Sequence, residues 1–332
     1  MNERDPLILD FLKRTGRGDW TRRSIAGDAS LRRYERLRSP DGRNLILMDA
    51  PNHSCGTQKP FVQIASYLRS QGVSAPAVLA EDLENGLLLI EDLGDDLFFD
   101  VLEANPAAET QLYEAATDLL IHLHRAPLPK LEALGPRALA EIAGLVIERY
   151  HAAITGQQNK ELQQRFENQL EDLLRQTLRG DMVFLHRDFH SQNLLWLPQR
   201  QGIAGVGVID FQDARTGHPA YDLVSLLQDV RRDVPPAIEM QMINRYVTAT
   251  GLDDSGFRAA YALLGIQRNL RILGVFARLS LDFGKSDYLK LMPRVWRHIR
   301  NGLEAPDAAP LADWLLDVLP EPTAENLQRL QP

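Results

Sequence analysis

The apolar positions of this chain change rhythm near residue 93. Before it they fall in short runs separated by polar turns, so that 44–50 (NLILMDA) and 86–90 (GLLLI) read as buried strands. The stretch TRRSIAGDASLRRYERL divides into two β-like runs around Gly27, Asp28, Ala29 and Ser30, and Ser39-Pro40-Asp41-Gly42 marks a turn. Two helices interrupt these strands, one over 6–13 with Leu7, Phe11 and Leu12 turned inward and one over 60–70. Beyond 93 the period lengthens. Residues 107–125 put Leu112, Ala116, Leu119, Leu120 and Leu123 on one helical face. Helices are also predicted over 137–152, over the polar and largely exposed 158–179, from Pro219 through about Arg231, and over 236–250 and 256–281. The tail reads as two packed helices over 287–304 and 309–320 with a frayed end.

One stretch breaks the helical rhythm and carries the chemistry. Residues 184–222 read FLHRDFHSQNLLW, a short loop, then GVGVIDFQDARTGHPAYD. His186, Arg187, Asp188 and Asn193 fit the pattern H-R-D-x-x-x-x-N, in which the Asp orients and deprotonates an attacking hydroxyl and the Asn holds magnesium. Asp210 ends the apolar run Val206, Val208, Ile209, where a carboxylate leaving a buried strand can reach the same metal. Phosphoryl transfer is catalysed mainly by positioning and charge neutralisation, so two carboxylates, an amide and magnesium suffice. The competing reading is a chance tripeptide in a loop and a strand-end cap; an Asn in register and a second Asp at a strand end weigh against it.

At these residues the chain resembles the aminoglycoside phosphotransferase and choline kinase group, which shares the protein-kinase architecture. His190 supplies the second histidine of that group's H-x-D-x-H-x-x-N, and Gly217 and Asp222 match its glycine turn and the Asp that braces the loop. Within the group, 265–279 (GIQRNLRILGVFARL) is similar to its counterpart in the bacterial anomeric kinases of N-acetylmuramate and N-acetylglucosamine. The resemblance implies an α+β, bilobal, protein-kinase-like fold: a small antiparallel β-sheet N-lobe over 1–92, a hinge near 91–96 and a larger, mainly helical C-lobe over 93–332. It further implies ATP and Mg2+ as cofactors, Asp188 as the base, Asn193 and Asp210 as metal ligands, and the C1 hydroxyl of an amino sugar in peptidoglycan recycling as acceptor. A kinase for another hydroxyl (an aminoglycoside, choline or homoserine) and a nucleotide-binding pseudokinase stay open.

The remaining site residues each have two readings. Gly27, Asp28, Ala29 and Ser30 either cover the nucleotide phosphates with backbone N–H groups or form an ordinary hairpin turn. Glu91, Asp92 and Leu93 offer backbone groups to an adenine, or simply end a strand. Met48 stands where protein kinases place the phosphate-gripping lysine, and the helix over 60–70 has no glutamate, leaving Arg32, Arg33 or Lys59 to supply the charge. Arg268, Arg271 and Arg278 recur near one helical face; Arg268 and Arg271, with His190, either hold a sugar carboxylate or belong to a solvated, salt-bridged face.

Composition narrows the partners. With 332 residues, of which 44% are hydrophobic, a sizeable core is available. A net charge of −8 argues against nucleic acid or an anionic membrane as the main partner and says little else; the small-molecule substrate is what the resemblance implies. Cys55 is the single cysteine and no apolar run approaches the ~18 residues of a membrane span, so a cytoplasmic protein is expected.

Overall fold

The computed structural model describes residues 4–25 and 31–332, so Gly27, Asp28, Ala29 and Ser30 lie outside the described residues. Nine strands run among the described residues: β1 (Thr21–Ile25), β2 (Arg33–Arg38), β3 (Asn44–Asp49), β4 (Val78–Asp82), β5 (Leu87–Glu91), β6 (Val183–Leu185), β7 (Leu194–Trp196), β8 (Val206–Val208) and β9 (Arg215–Gly217). The chain divides into two compact units. One takes Met1–Leu119 with Gln192–Asp213, the other Leu120–Ser191 with Ala214–Pro332.

In the first unit β1 to β5 form one antiparallel sheet in the order β1-β2-β3-β5-β4. The continuous apolar runs become its central strands β3 and β5, and the sheet's alternation turns Leu37, Leu47, Leu87 and Leu89 to one face. There the helix Asp5–Arg14 buries Ile8, Phe11 and Leu12 against them. Each such side chain stabilises by about 1.5–3 kcal/mol, which fixes the small helix although its intrinsic helicity is marginal. Gly86 makes the turn into β5 with φ +68°, and a Cβ there would lie 2.0 Å from the Ala50 carbonyl oxygen, so only glycine fits. The predicted helix over 60–70 is Lys59–Ser70, with Phe61, Ile64, Ala65 and Leu68 buried. No apolar run marks β4, which is a half-exposed edge strand and so has no local signal of its own.

The second unit is helical. Its longest element, Asp254–Phe283, starts where the Asp253 side chain accepts from Gly256 N at 2.7 Å and ends at Gly284, φ +67°. It presses against the chain at Leu145–Val146, where a Cβ on Gly274 would meet backbone at 2.6 Å. The single helix expected over 137–152 is corrected here: Pro136–Ala143 stops at Gly144 and a π-helical turn, Val146–His151, follows. The helix after Pro219 ends at Leu227 rather than near Arg231. The chain end is packed, not frayed. A last helix, Ala324–Gln328, is capped by Thr323, Leu330 is fully buried, and Arg329 donates to the Ile154 carbonyl at 2.8 Å. Among the described residues no helix is long and apolar enough to cross a membrane.

Candidate active site

The Asp188 loop is built within the second unit. Buried β6 pairs with β9, Phe184 opposite Thr216, and delivers the chain to His186. From the helix Ala220–Leu227, fully buried Asp222 then accepts two backbone N–H groups, His186 N at 2.6 Å and Arg187 N at 2.9 Å. Those bonds hold Arg187 at φ +77°, a conformation that costs a non-glycine residue roughly 1–3 kcal/mol and persists only where its surroundings over-determine it. Burial pushes the Asp222 carboxyl up to about 7, against the pull of the two N–H donors.

The turn presents Asp188, whose side chain is 33% exposed. Burial by itself would raise this carboxyl, but the guanidiniums of Arg268 and then Arg271, with His190 and Arg187, outweigh it and hold it down to about 2. Arg268 Nη2 stands 3.6 Å from Asp188 Oδ1. His190 is buried with its Nε2 3.3 Å from Arg231 Nη1, and burial followed by that guanidinium lowers its imidazole to about 4, which keeps it neutral at pH 7. Next to it Ser191 donates to Asp229 from both Oγ, at 2.5 Å, and backbone N, at 3.2 Å. Along the one helix that carries them the three arginines differ in depth: Arg268 is buried and donates to Ser225 Oγ at 2.7 Å, Arg271 is half-buried, and Arg278 is exposed.

Asn193 and Asp210 come together within the first unit. β7 pairs with β8, Leu194 opposite Val208, and one step further Ile209 N donates to the Asn193 carbonyl at 3.1 Å. The ladder therefore sets Asn193 beside the residue that precedes Asp210. Asp210 leaves the strand at φ +60°, exposed, with Oδ1 accepting from Gln212 Nε2 at 2.9 Å. Phe211 anchors the turn against Phe61, ring centroids 4.9 Å apart. An amide and a carboxylate oxygen on adjacent positions fit magnesium, a hard cation that takes one or two protein oxygens and completes its shell with phosphates and water.

The sheet bears on the missing lysine. Met48 is fully buried and pairs with Tyr34 across β2 and β3. Burial pushes the Tyr34 hydroxyl up to about 12, with Arg32 pulling it down and Asp210 pushing it further up, so Arg32 and Asp210 act on the same hydroxyl. Arg33 turns to Asp49 at 3.5 Å, and Lys59 is an exposed residue opening its helix. At the end of β5, Glu91 N donates to the Ala77 carbonyl at 2.8 Å, while its carboxylate takes Arg200 at 2.7 Å and Arg69 at 3.1 Å. Asp92 pairs with Arg36 at 2.6 Å and accepts from Gly94 N, and Leu93 is half-buried. Ser225, Asp229, Arg231 and Tyr34 escape sequence reasoning because none belongs to a spaced motif; only a polar residue inside an apolar helix hinted at Ser225.

A kinase-like phosphotransferase is the class that this sheet, these loops and this helical unit define. The chain belongs to the phosphotransferase enzyme family, whose model matches residues 21–263. It is 36% identical to the N-acetylmuramate/N-acetylglucosamine kinase of Caulobacter vibrioides, over 97% of this chain and 98% of that protein. It is 35% identical to the Pseudomonas aeruginosa protein of the same name, over 89% and 88%. Solved structures with the same protein-kinase-like α+β fold include a choline kinase from Streptococcus pneumoniae, with a TM-score of 0.61 at 15% identity over 90% of this chain and 100% of that one. A macrolide 2'-phosphotransferase from Brachybacterium faecium gives 0.59 at 18% identity over 89% and 98%.

Proposed function

We propose that this protein is an ATP-dependent sugar kinase that transfers the γ-phosphate to the anomeric C1 hydroxyl of N-acetylmuramate and N-acetylglucosamine, as peptidoglycan recycling requires. The observation that carries this reading is the match over nearly the full length of both chains to a kinase of that name, 36% identical. Asp188 is the base: the acceptor oxygen bonds to the γ-phosphorus as the bond to the β-phosphate oxygen breaks, ADP leaves, and the hydroxyl proton passes to the carboxylate. Asn193 and Asp210 hold magnesium, which when bound neutralises charge on the phosphates. Asp92 and Leu93 face the adenine with their backbone, since the Glu91 amide is committed to Ala77. Arg32 replaces the lysine. A carboxylate held to about 2 is a weak base, and it suits an anomeric hydroxyl, which is more acidic than an ordinary alcohol. Arg271, half-buried and acting on Asp188, is the guanidinium that reads the lactyl carboxylate of N-acetylmuramate, a group N-acetylglucosamine lacks, with His190 lining the same loop.

Phosphorus NMR of the product formed from each amino sugar tests this. A sugar 1-phosphate is expected. Phosphate on C6, or turnover of choline or an aminoglycoside in place of both sugars, overturns the acceptor, and no ADP release with any acceptor overturns the kinase.

A further inference from the structure

Arg268 is more deeply buried than a residue that only greets a diffusible substrate. Its side chain is 6% exposed, and among the described residues its charged end meets two groups: Ser225 Oγ, to which Nη2 donates at 2.7 Å, and the Asp188 carboxylate 3.6 Å away. Its Nε has no hydrogen-bond partner. Burying a guanidinium costs several kcal/mol unless an anion compensates it, and here the facing anion is Asp188. The helix Ala220–Leu227 supplies both restraints on the loop from positions three apart, hence from one helical face. Asp222 grips the backbone amides of His186 and Arg187, while Ser225, itself 1% exposed, grips the guanidinium that faces the Asp188 side chain.

We propose that Arg268 is a positioning residue for phosphoryl transfer: anchored by Ser225, it sets the rotamer and the charge state of the Asp188 carboxylate and does not bind the acceptor. This rests on the reading of Asp188 as the base. At 3.6 Å the pair is too long for a hydrogen bond, so Arg268 acts on the carboxylate through its charge and takes none of its lone pairs. The other groups acting on Asp188 are the guanidiniums of Arg271 and Arg187 and the imidazole of His190, which is charged only below about pH 4, with Asp222 behind the loop, and Arg268 outranks them all.

The test compares Arg268→Met, Arg268→Lys and Ser225→Ala with the parent enzyme in steady-state kinetics from about pH 4 to about pH 9. Arg268→Met should lower kcat about 10²-fold, as misplaced catalytic groups do, with KM for ATP unchanged. Its acid limb should move upward by about 1–3 pH units once the opposite charge is gone. Arg268→Lys should regain much of kcat and return the limb, and Ser225→Ala should lower kcat by a smaller factor. A merely structural role would lower the melting temperature and leave the limb in place, with no rescue by lysine, and that result overturns the proposal. So does a parental kcat and pH profile in Arg268→Met, or, if that variant does not fold, a parental kcat in Ser225→Ala. Asp188→Asn separates the two readings. If it stays active, the assignment of the base fails; if it is inactive while Arg268→Met matches the parent, only the role of Arg268 fails.

Discussion

The Asp188 loop and the Asn193–Asp210 pair are held by opposite means. Each contains one of the two non-glycine residues with positive φ among the described residues, Arg187 at +77° and Asp210 at +60°. Around Arg187 the restraint is side-chain chemistry: buried Asp222 takes two amides, buried Asp229 takes Ser191, and buried Arg268 faces Asp188. Around Asp210 the restraint is backbone and packing, through the β7–β8 ladder, the Ile209–Asn193 bond and Phe211 on Phe61, while the carboxylate itself is exposed and accepts from Gln212. A base must have a fixed direction and charge, whereas metal ligands need lone pairs left over for the metal. The first region therefore holds its carboxylate with surrounding charge, and the second holds its carboxylate through the backbone it leaves.

The sharpest break of this comparison is Asp188→Asn, which keeps the shape and removes the proton sink. We expect kcat to fall about 10²–10⁴-fold while the circular dichroism spectrum and ATP binding stay parental; turnover within a few fold of the parent would remove Asp188 from the mechanism. Asp210→Ala probes the other side. The magnesium requirement should rise by more than the about 10–100-fold that loss of an outer-shell partner costs, with little change in stability, and an unchanged magnesium titration would end the ligand assignment.

Asp222→Asn should act on stability as well as rate, because it orphans one buried N–H at a cost of about 1–3 kcal/mol. Its pH dependence has a definite sign. The folded carboxyl, near 7, lies above its ordinary 3.8, so between about pH 4 and about pH 7 the folded state binds more protons than the unfolded one and unfolding free energy falls as pH rises, then levels off. Urea denaturation across that window should show a shallower slope in the Asn variant, and identical slopes would refute the burial-driven shift. The smallest effects belong to the sheet. Arg32→Ala should raise KM for ATP, whereas Arg33→Ala, which removes an exposed guanidinium 3.5 Å from an Asp49 still paired with Arg4 at 2.7 Å, should cost no more than about 1 kcal/mol and leave KM alone. Reversed results would move the phosphate contact to Arg33.

What the amino-acid order determined by itself is whatever is local: the H-R-D-x-x-x-x-N spacing, the apolar run that ends in Asp210, and the helical faces of Leu112 to Leu123, all of which are buried. A motif confined to one loop and a periodicity confined to one helix need no knowledge of distant chain. Tertiary structure alone decided which groups meet across long separations. Arg268 and Arg271 looked equivalent at helical spacing, yet one lies in the core against Ser225 and Asp188 and the other is half-buried, because burial depends on what packs against each side of the helix. Locally Glu91 reads equally as backbone offered to an adenine or as a plain strand end, and its amide belongs to Ala77, since strand partners are chosen by the whole sheet. The packed chain end and the break at Gly144 were invisible for the same reason: the contacts that fix them, Arg329 with Ile154 and Gly274 against Leu145, join residues more than a hundred positions apart, and no local pattern records them.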